Sequence, residues 1–361
     1  MILTGKLDNY HFGQNDLRAI DGYNKPFNFI MSAREWGKST GAWLYKVYQT
    51  WTKTGRPFIY LTRSAVEINE ALIDTIFETN INKWISPTIK PQYKVNDFSG
   101  GIVDVRVNDK IFIRIVSLSI KLRRIKLATL RDCAGVLMDE YIIDPRSGEK
   151  YITGEAFKIK EAYTTWRREC DGMLKCYFLG NPYSLFNPLF MEWKINSSDL
   201  IASKGSYLVG DEFVVQWANL PQELIDHIRE VNPLYQFDAD YTSYALEGNA
   251  VNDMNIPMRK EQPMGYALRF VFRADGRNIG VYQDGIYENG SFHYWVTFLD
   301  DFGAKRTAWV FDLSDMVSRT ALVGIEERMK LQGFKTAMRV RNVEFSDVSA
   351  YYLCEEIFKA I

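Results

Sequence analysis

Apolar and polar positions fall into two rhythms over residues 27–180. Phe27 to Met31 reads as a strand, and Trp43, Leu44, Val47, Tyr48 and Trp51 behind it recur at three- and four-residue spacing, the stripe of a helix face. The runs PFIYLT (57–62), IFIRIV (111–116), AGVLM (134–138) and LKCYFLG (174–180) predict four more strands. Helical spacing lies between several of them, in VEINEALIDTIFE (66–78) and GEAFKIKEAYTTWRREC (154–170). Several strand runs are apolar on both faces, so both faces must be covered. Such strands alternating with helices predict an α/β domain built on a mainly parallel sheet.

Past Asn181 the texture changes. PQELIDHIREVN (221–232) signals a helix with Pro221 early in its first turn, and LEGNAVNDMNIPMRKEQPMG (246–265) has the Gly, Asn, Asp and Pro of a linker. ALRFVFR, NIGVYQ and SFHYWVTFL read as meander strands joined by the hairpin signals ADGR and DGIYENG. A strand AWVF (308–311), a helix from about Val317 to Leu331, a strand near AMRVRNVEF and a closing helix from Asp347 follow. A meander followed by alternating helices and strands matches a ribonuclease-H-like layout, a smaller α+β domain. The expected division is 1–218 for the α/β domain, 219–262 for a helical lid or linker, and 263–361 for the second domain.

Composition narrows the partners. The chain has 361 residues, 47% hydrophobic and 25% charged, an ordinary balance for two globular domains. A net charge of -1 excludes a wholly basic nucleic-acid coat, so any DNA contact must come from local patches. The four cysteines (Cys133, Cys170, Cys176, Cys354) form no Cys-x-x-Cys pair, and the three histidines (His11, His227, His293) lie far apart. That argues against a zinc site and for free, mostly buried thiols. Asp8, His11 and Asp16 stand where a secretion signal would need an apolar run. No stretch approaches the roughly 20 apolar residues of a membrane span. The expectation is a soluble cytosolic protein without a membrane partner.

The chemistry concentrates in FNFIMSAREWGKST (27–40). Strand, loop and helix start follow one another, the context in which backbone N–H groups point at phosphate oxygens. The loop Ser32, Ala33, Arg34, Glu35, Trp36, Gly37, Lys38, Ser39 and Thr40 is the candidate nucleotide-binding segment. Lys38 would neutralise the β and γ phosphates, Ser39 would hold Mg²⁺, and Thr40 could add a phosphate hydrogen bond. Ser32 stands where the usual motif has its first glycine, and Arg34, Glu35 and Trp36 are bulky filling. Alone, GKST is an ordinary loop-to-helix start. The context calls for an acidic partner on a later buried strand, and GVLMDEYI (135–142) provides Asp139 for the magnesium shell and Glu140 to polarise the attacking water. Asn181, ending CYFLGN, can sense the γ-phosphate or position water. Arg167 or Arg168, at the end of the helix before it, is a candidate arginine finger, with Arg167 preferred; the plain alternative is a charge pair that favours the helix dipole. The basic run KLRRIKLATLR (121–131), with Arg124 and Lys126, is either a solvated face or a DNA- or subunit-facing surface.

With these elements in order, the chain resembles the phi29-type bacteriophage DNA-packaging ATPases, small relatives of the large terminase subunit. FNFIMSAREWGKS, PFIYLTR, GVLMDEYI and CYFLGNPYSLFNPLF carry the resemblance, which continues weakly into RFVFRADGRNIGVYQDGIYENGSFHYWVT. An arginine inside the phosphate loop, here Arg34, belongs to that family's pattern. The resemblance implies an additional-strand P-loop NTPase domain, a helical lid and a nuclease-like C-terminal domain. It implies a homomeric ring, pentameric in this type, that docks on the portal of a prohead and drives double-stranded DNA inward with ATP. A packaging RNA is a further partner in that setting. The place of action would be the host cytoplasm, transiently on the prohead and not in the mature virion. Arg167 sits near the family's trans-acting arginine, and Lys126 near a basic position that acts across the subunit interface.

One departure concerns DNA cutting. Large terminases cleave with an acidic cluster that binds two metals, and Asp275, Asp312 and Asp347 lie near strand ends in the second domain. Asp275 falls in a hairpin turn, and Asp312 and Asp347 look like helix caps. A nuclease-like domain without cutting activity is therefore expected, the alternative being a complete terminase with ATPase and nuclease. A nucleotide-dependent scaffold with a vestigial site is a third reading, and a two-lobed helicase is disfavoured because no second motor domain is seen.

Overall fold

The computed structural model describes residues 17–34, 36–85, 90–95, 98–144, 146–232, 235, 242, 245, 246, 248, 250, 253, 255–288, 291–304 and 306–359. The N-terminal reading at Asp8, His11 and Asp16, the loop residue Glu35 and much of the 246–254 linker lie outside these residues. Among the described residues no helix is long and apolar enough to cross a membrane.

The chain divides into two compact units, one of residues 1–184 with 203–251, the other of residues 185–202 with 252–361. The second unit thus takes in the segment 185–202 as well as the C-terminal part.

The first unit is built on a nine-stranded sheet. Its strands are β1 (Phe27–Ser32), β2 (Phe58–Thr62), β3 (Tyr93–Val95), β4 (Ile102–Val107), β5 (Lys110–Ser117), β6 (Gly135–Met138), β7 (Cys176–Gly180), β8 (Tyr207–Val209) and β9 (Phe213–Ala218). Their order is β3-β4-β5-β2-β6-β7-β1-β9-β8. The run from β5 to β9 is parallel throughout, and β3, β4 and β8 add antiparallel edges. All residues of β1, β2, β6 and β7 are buried, as strands covered on both faces must be. At their centre Phe29 stacks on Phe178 with ring centroids 4.9 Å apart. β7 lies between β1 and β6, so the strand that comes last of the three in sequence separates the other two.

The helix after β1 runs in three pieces, Lys38–Gly41, a π-helical stretch Ala42–Tyr48, and Gln49–Thr54. Of its expected stripe Trp43, Leu44, Val47 and Tyr48 are buried, while Trp51 is only half-buried. VEINEALIDTIFE breaks into a 3-10 turn (Ala65–Glu67), an α-helix (Glu70–Asp74) and a π turn (Thr75–Thr79), because Ser64 and Asn69 each cap a separate start.

The second unit carries a six-stranded sheet of β10 (Ala267–Ala274), β11 (Arg277–Glu288), β12 (Ser291–Leu299), β13 (Ala308–Val310), β14 (Thr320–Leu322) and β15 (Val343–Phe345). Their order is β14-β13-β10-β11-β12-β15. β10, β11 and β12 form the expected antiparallel meander, while β13, β14 and β15 pair in parallel. The ADGR turn forms with Asp275 at φ 48 and Gly276 at φ 72, the left-handed pair that a two-residue hairpin requires. β11 runs through the DGIYE of the signal DGIYENG with a register shift between Gln283 and Tyr287, and it pairs antiparallel with β12 out to Glu288 and Ser291; the signal's last two residues, Asn289 and Gly290, lie outside the described residues. The expected helix Val317–Leu331 is also corrected. Thr320–Leu322 is drawn into the sheet beside β13, and the helix runs Ile325–Arg339, starting where the Glu327 carboxylate accepts the Gly324 N–H at 3.0 Å. It therefore absorbs AMR, leaving only Val343–Phe345 as the following strand.

Candidate functional site

β1, β2, β6 and β7 are parallel, so their C-terminal ends open on one edge of the sheet, the usual place for ligands in such folds. The loop after β1, Arg63 after β2, Asp139 and Glu140 after β6 and Asn181 after β7 all sit at that edge.

The loop is shaped by one glycine. Gly37 has φ 78 and precedes the first helical turn, a conformation that favours glycine over any side chain with a Cβ. Ser32 belongs to the extended strand and needs no positive φ, so the missing first glycine costs nothing there; its hydroxyl donates to Ala33 O at 3.0 Å. The loop is also tied from outside the expected motif. Arg34 N–H donates to Ala245 O at 2.7 Å, and Gly248, at φ 63, approaches so closely that a Cβ on it would meet Ala33 N at 3.3 Å. Trp36, part of the loop's bulky filling, is 3% exposed and packs inward.

Lys38 is 8% exposed, and its amine donates to Asn181 Oδ1 at 2.6 Å and lies 3.5 Å from Ala33 O. Asn181 Nδ2 donates to Tyr183 Oη at 3.1 Å, and Arg34 donates to the same hydroxyl at 2.8 Å. A polar relay therefore joins the two loop cations, Lys38 and Arg34, through Asn181 and Tyr183. Thr40 points elsewhere: its hydroxyl donates to Asn80 Oδ1 at 3.0 Å.

Ser39 and Asp139 meet through a hydrogen bond between their side chains. Burial pushes the Asp139 carboxyl above its ordinary range, and the Ser39 bond, the Lys38 charge and the Glu140 N–H at 2.9 Å only partly offset it. A carboxylate left short of positive charge beside a serine hydroxyl fits a hard divalent cation. Mg²⁺ takes few protein ligands and keeps waters and phosphate oxygens for the rest.

Glu140 has φ 57, an unusual backbone for a glutamate. The peptide is held from β2: Arg63 donates to Glu140 O at 2.7 Å and to Tyr141 O at 2.5 Å. Its Nε donates to Glu155 Oε2 at 3.1 Å, and Glu155 is fully buried. Burial and then the neighbouring Asp139 charge raise the Glu140 carboxyl above its ordinary range, with Glu149 adding and Lys38 and Arg34 opposing. Arg63, Tyr183 and the 245–248 segment have no motif of their own. The signal for Arg63 was positional: it lies two residues beyond Leu61, which pairs with Met138, just as Glu140 lies two beyond Met138.

The remaining candidates stand apart from this group. Arg167 is exposed in the 3-10 turn Arg167–Glu169 and hydrogen bonds to the Tyr163 hydroxyl. The Tyr163 ring packs on Phe27, at the opposite end of β1 from the loop. Lys126 pairs with Glu161 at 2.9 Å, and the Arg124 guanidinium lies against the Gly100 turn.

In the second unit two of the three candidate acids, Asp347 and Asp312, are engaged by the backbone. Asp347 is 3% exposed and accepts the N–H groups of Ser197 at 3.0 Å and Ser349 at 2.7 Å. Asp312 caps the turn Leu313–Asp315 by accepting Ser314 N–H at 2.7 Å. Asp275 is the hairpin residue itself, its carboxyl raised by burial and by Asp315. Among the described residues no group of three or more His, Cys, Asp or Glu is placed to hold a metal ion.

No protein-family model and no curated protein matches the chain. Among solved structures, a chain of the bacteriophage Phi-29 viral genome packaging motor assembly superposes with a TM-score of 0.67 at 16% identity, covering 95% of this chain and 98% of that one. The Phi-28 gp11 DNA packaging motor superposes with a TM-score of 0.58 at 14% identity, covering 94% and 95% respectively. The fold is that of the phi29-type packaging motor over nearly its whole length.

Proposed function

We propose that the chain is an ATP-driven motor that moves double-stranded viral DNA into a preformed prohead, working as a homomeric ring at the portal vertex. The observation that carries this reading is the convergence of Lys38, Ser39, Asp139, Glu140 and Asn181 at one edge of a parallel sheet, in a fold shared with packaging motors. The insertion of β7 between β1 and β6 supports an additional-strand P-loop domain. The order β12-β11-β10-β13-β14 supports a ribonuclease-H-like second domain.

In this reading ATP occupies the loop 32–40. Lys38 gives up Asn181 Oδ1 to meet the β and γ phosphates, and Asn181, released, reports the γ-phosphate to Tyr183 and Arg34. Ser39 and Asp139 would hold Mg²⁺, which supplies charge neutralisation at the phosphates. Glu140 accepts a proton from the attacking water; its raised affinity for protons makes it a stronger base than an open glutamate. Arg63 keeps the Glu140 peptide in its left-handed state. Arg167 is assigned to the neighbouring subunit's site, consistent with its distance from the loop of its own chain. DNA contacts fall mainly on phosphates, because a motor must pass any sequence. The portal, and a packaging RNA as in the family's type, are the expected docking partners.

The capped Asp312 and Asp347 support a second domain that does not cut DNA. Asp275, Asp300 and Asp347 also lie within electrostatic reach of the half-buried Arg277, a protein cation among the acids of this unit. Incubating the protein with plasmid and Mn²⁺ tests this directly: linear product would establish the complete terminase instead. The function itself is tested by ATP hydrolysis with and without DNA and proheads. Stimulation by both is expected, and absence of any turnover would leave the nucleotide-dependent scaffold with a vestigial site.

A further inference from the structure

The first unit holds a pair of thiols that the nucleotide site does not use. Cys133 lies just before β6, and Cys170 closes the turn after the helix Glu155–Trp166. The two segments run side by side, with Asp132 N–H donating to Glu169 O at 3.0 Å. That bond brings the next residue on each segment together. The two side chains lie within interaction range of each other, with the Cys170 thiol also donating to Trp166 O at 3.4 Å, and the Cys133 backbone N–H faces the Cys170 sulfur. Adjacent residues on two bonded segments fall within the Cα separation a disulfide spans.

The surroundings make the two sulfurs unequal. Cys133 is 1% exposed, its sulfur 3.1 Å from Gly135 O, and its thiol is pushed up by the Cys170 contact and by burial. Cys170 is half-buried, so a small oxidant can reach it. Its thiolate is favoured first by the Cys133 contact, which outweighs the opposing effect of burial, and more weakly by the Arg56 guanidinium. Arg56 is fixed in place by donating to Asp132 O and Cys133 O, both at 3.0 Å. An accessible thiolate beside a cation, with a second thiol against it, is the arrangement of an attacking and a resolving cysteine. The other two cysteines differ: Cys176 and Cys354 are buried, and burial pushes both thiols up.

We propose that Cys133 and Cys170 form a reversible disulfide when the protein meets hydrogen peroxide. The Cys170 thiolate attacks the peroxide oxygen, the O–O bond breaks, and Cys170 becomes a sulfenic acid as the leaving oxygen departs as water. Cys133 then attacks the sulfenic sulfur, the S–S bond forms, and a second water leaves with the Cys133 proton. Two thiols are oxidised and one peroxide is reduced to two waters. The bridge ties the base of β6, whose other end carries Asp139 and Glu140, to the turn that bears Arg167. It depends on the thiols alone and stands whether or not the chain hydrolyses ATP.

The test treats the full-length protein with hydrogen peroxide, quenches with catalase, and counts thiols by maleimide labelling after denaturation. The expected result is loss of two of the four thiols, a product lighter by two hydrogen atoms, a cross-linked peptide joining Cys133 and Cys170, and recovery of all four thiols with dithiothreitol. C170S should keep its remaining three thiols under the same treatment. C133S should carry Cys170 on to the sulfinic acid, since nothing resolves the sulfenic acid. Four intact thiols in the treated wild-type protein would overturn the proposal, as would a cross-link through Cys176 or Cys354. So would sulfinic acid at Cys170 without a bridge. The wild-type measurement decides even if a variant folds poorly.

Discussion

Asp139 in the first unit and Asp347 in the second follow short strands, yet their surroundings set them to different work. Asp347 accepts two backbone N–H groups, from Ser197 and Ser349, and Ser197 in turn accepts Val348 N–H at 2.7 Å. Its charge is spent on closing the chain. Asp139 has one backbone N–H, a serine hydroxyl and a lysine nearby, too little to offset its burial. A carboxylate satisfied by the backbone is structural; one held short of positive charge waits for a cation. The comparison teaches that the acids of the two units are distinguished by their partners and not by residue type or position after a strand.

Substituting the two aspartates gives the largest contrast. Asp139→Asn should lower ATP turnover by about 100-fold or more, through loss of a charge at the metal. It should not lower thermal stability at neutral pH. The sign follows from the raised carboxyl: the folded state holds this proton more tightly than the unfolded state, so ionisation costs stability as pH rises above the ordinary aspartate value of 3.8. Asp347→Ala should do the reverse, with turnover per folded molecule unchanged and the second unit destabilised by about 1–2 kcal/mol, the usual cost of a lost cap. Differential scanning calorimetry beside a steady-state assay reads both. Equal losses of stability in the two variants would break the comparison.

Arg63 offers a smaller effect of the same kind. Arg63→Ala frees the Glu140 peptide and leaves Glu155 buried without its cation, whereas Arg63→Lys keeps a charge but not the two-carbonyl grip. Both should lower kcat by about 10-fold or more with little change in KM, as expected when a reacting group is misplaced. A pure KM effect would place Arg63 in binding instead. The smallest effect concerns pH. Hydrolysis requires ionised Glu140, so the acid limb of the rate profile should lie above the ordinary glutamate value of 4.5, and activity should fall as pH drops through it. Removing the Glu149 charge with Glu149→Gln should move that limb to lower pH. Movement the other way would contradict the charge assignment.

The parallel core of the first unit was legible because its strands are apolar on both faces and bounded by turn residues, as β1, β2, β6 and β7 show. β4 and β9 were not read: IVDVRV carries Asp104 and Arg106 between its apolar residues, FVVQWA carries Gln216, and the identity of each comes from the neighbour it pairs with. The helix at Ile325–Arg339 was misplaced because apolar spacing runs on through Thr320–Leu322, which only pairing with β13 marks as a strand. In the site, the residues assigned to phosphate, metal and water carry local signatures. Arg63, Tyr183 and Ala245 do not, since each acts through a contact across more than 75 residues of sequence. Motif reading finds the groups proposed to touch substrate and misses those that hold them.

The account turns on Glu140. The direct measurement is ATP binding and ATP turnover by Glu140→Gln beside the unmodified chain, in the presence of double-stranded DNA. ATP should bind with unchanged affinity, while turnover should fall by about 100-fold or more, the scale of a lost general base. Unchanged turnover in that variant would remove Glu140 from the chemistry and with it the central reading of this site.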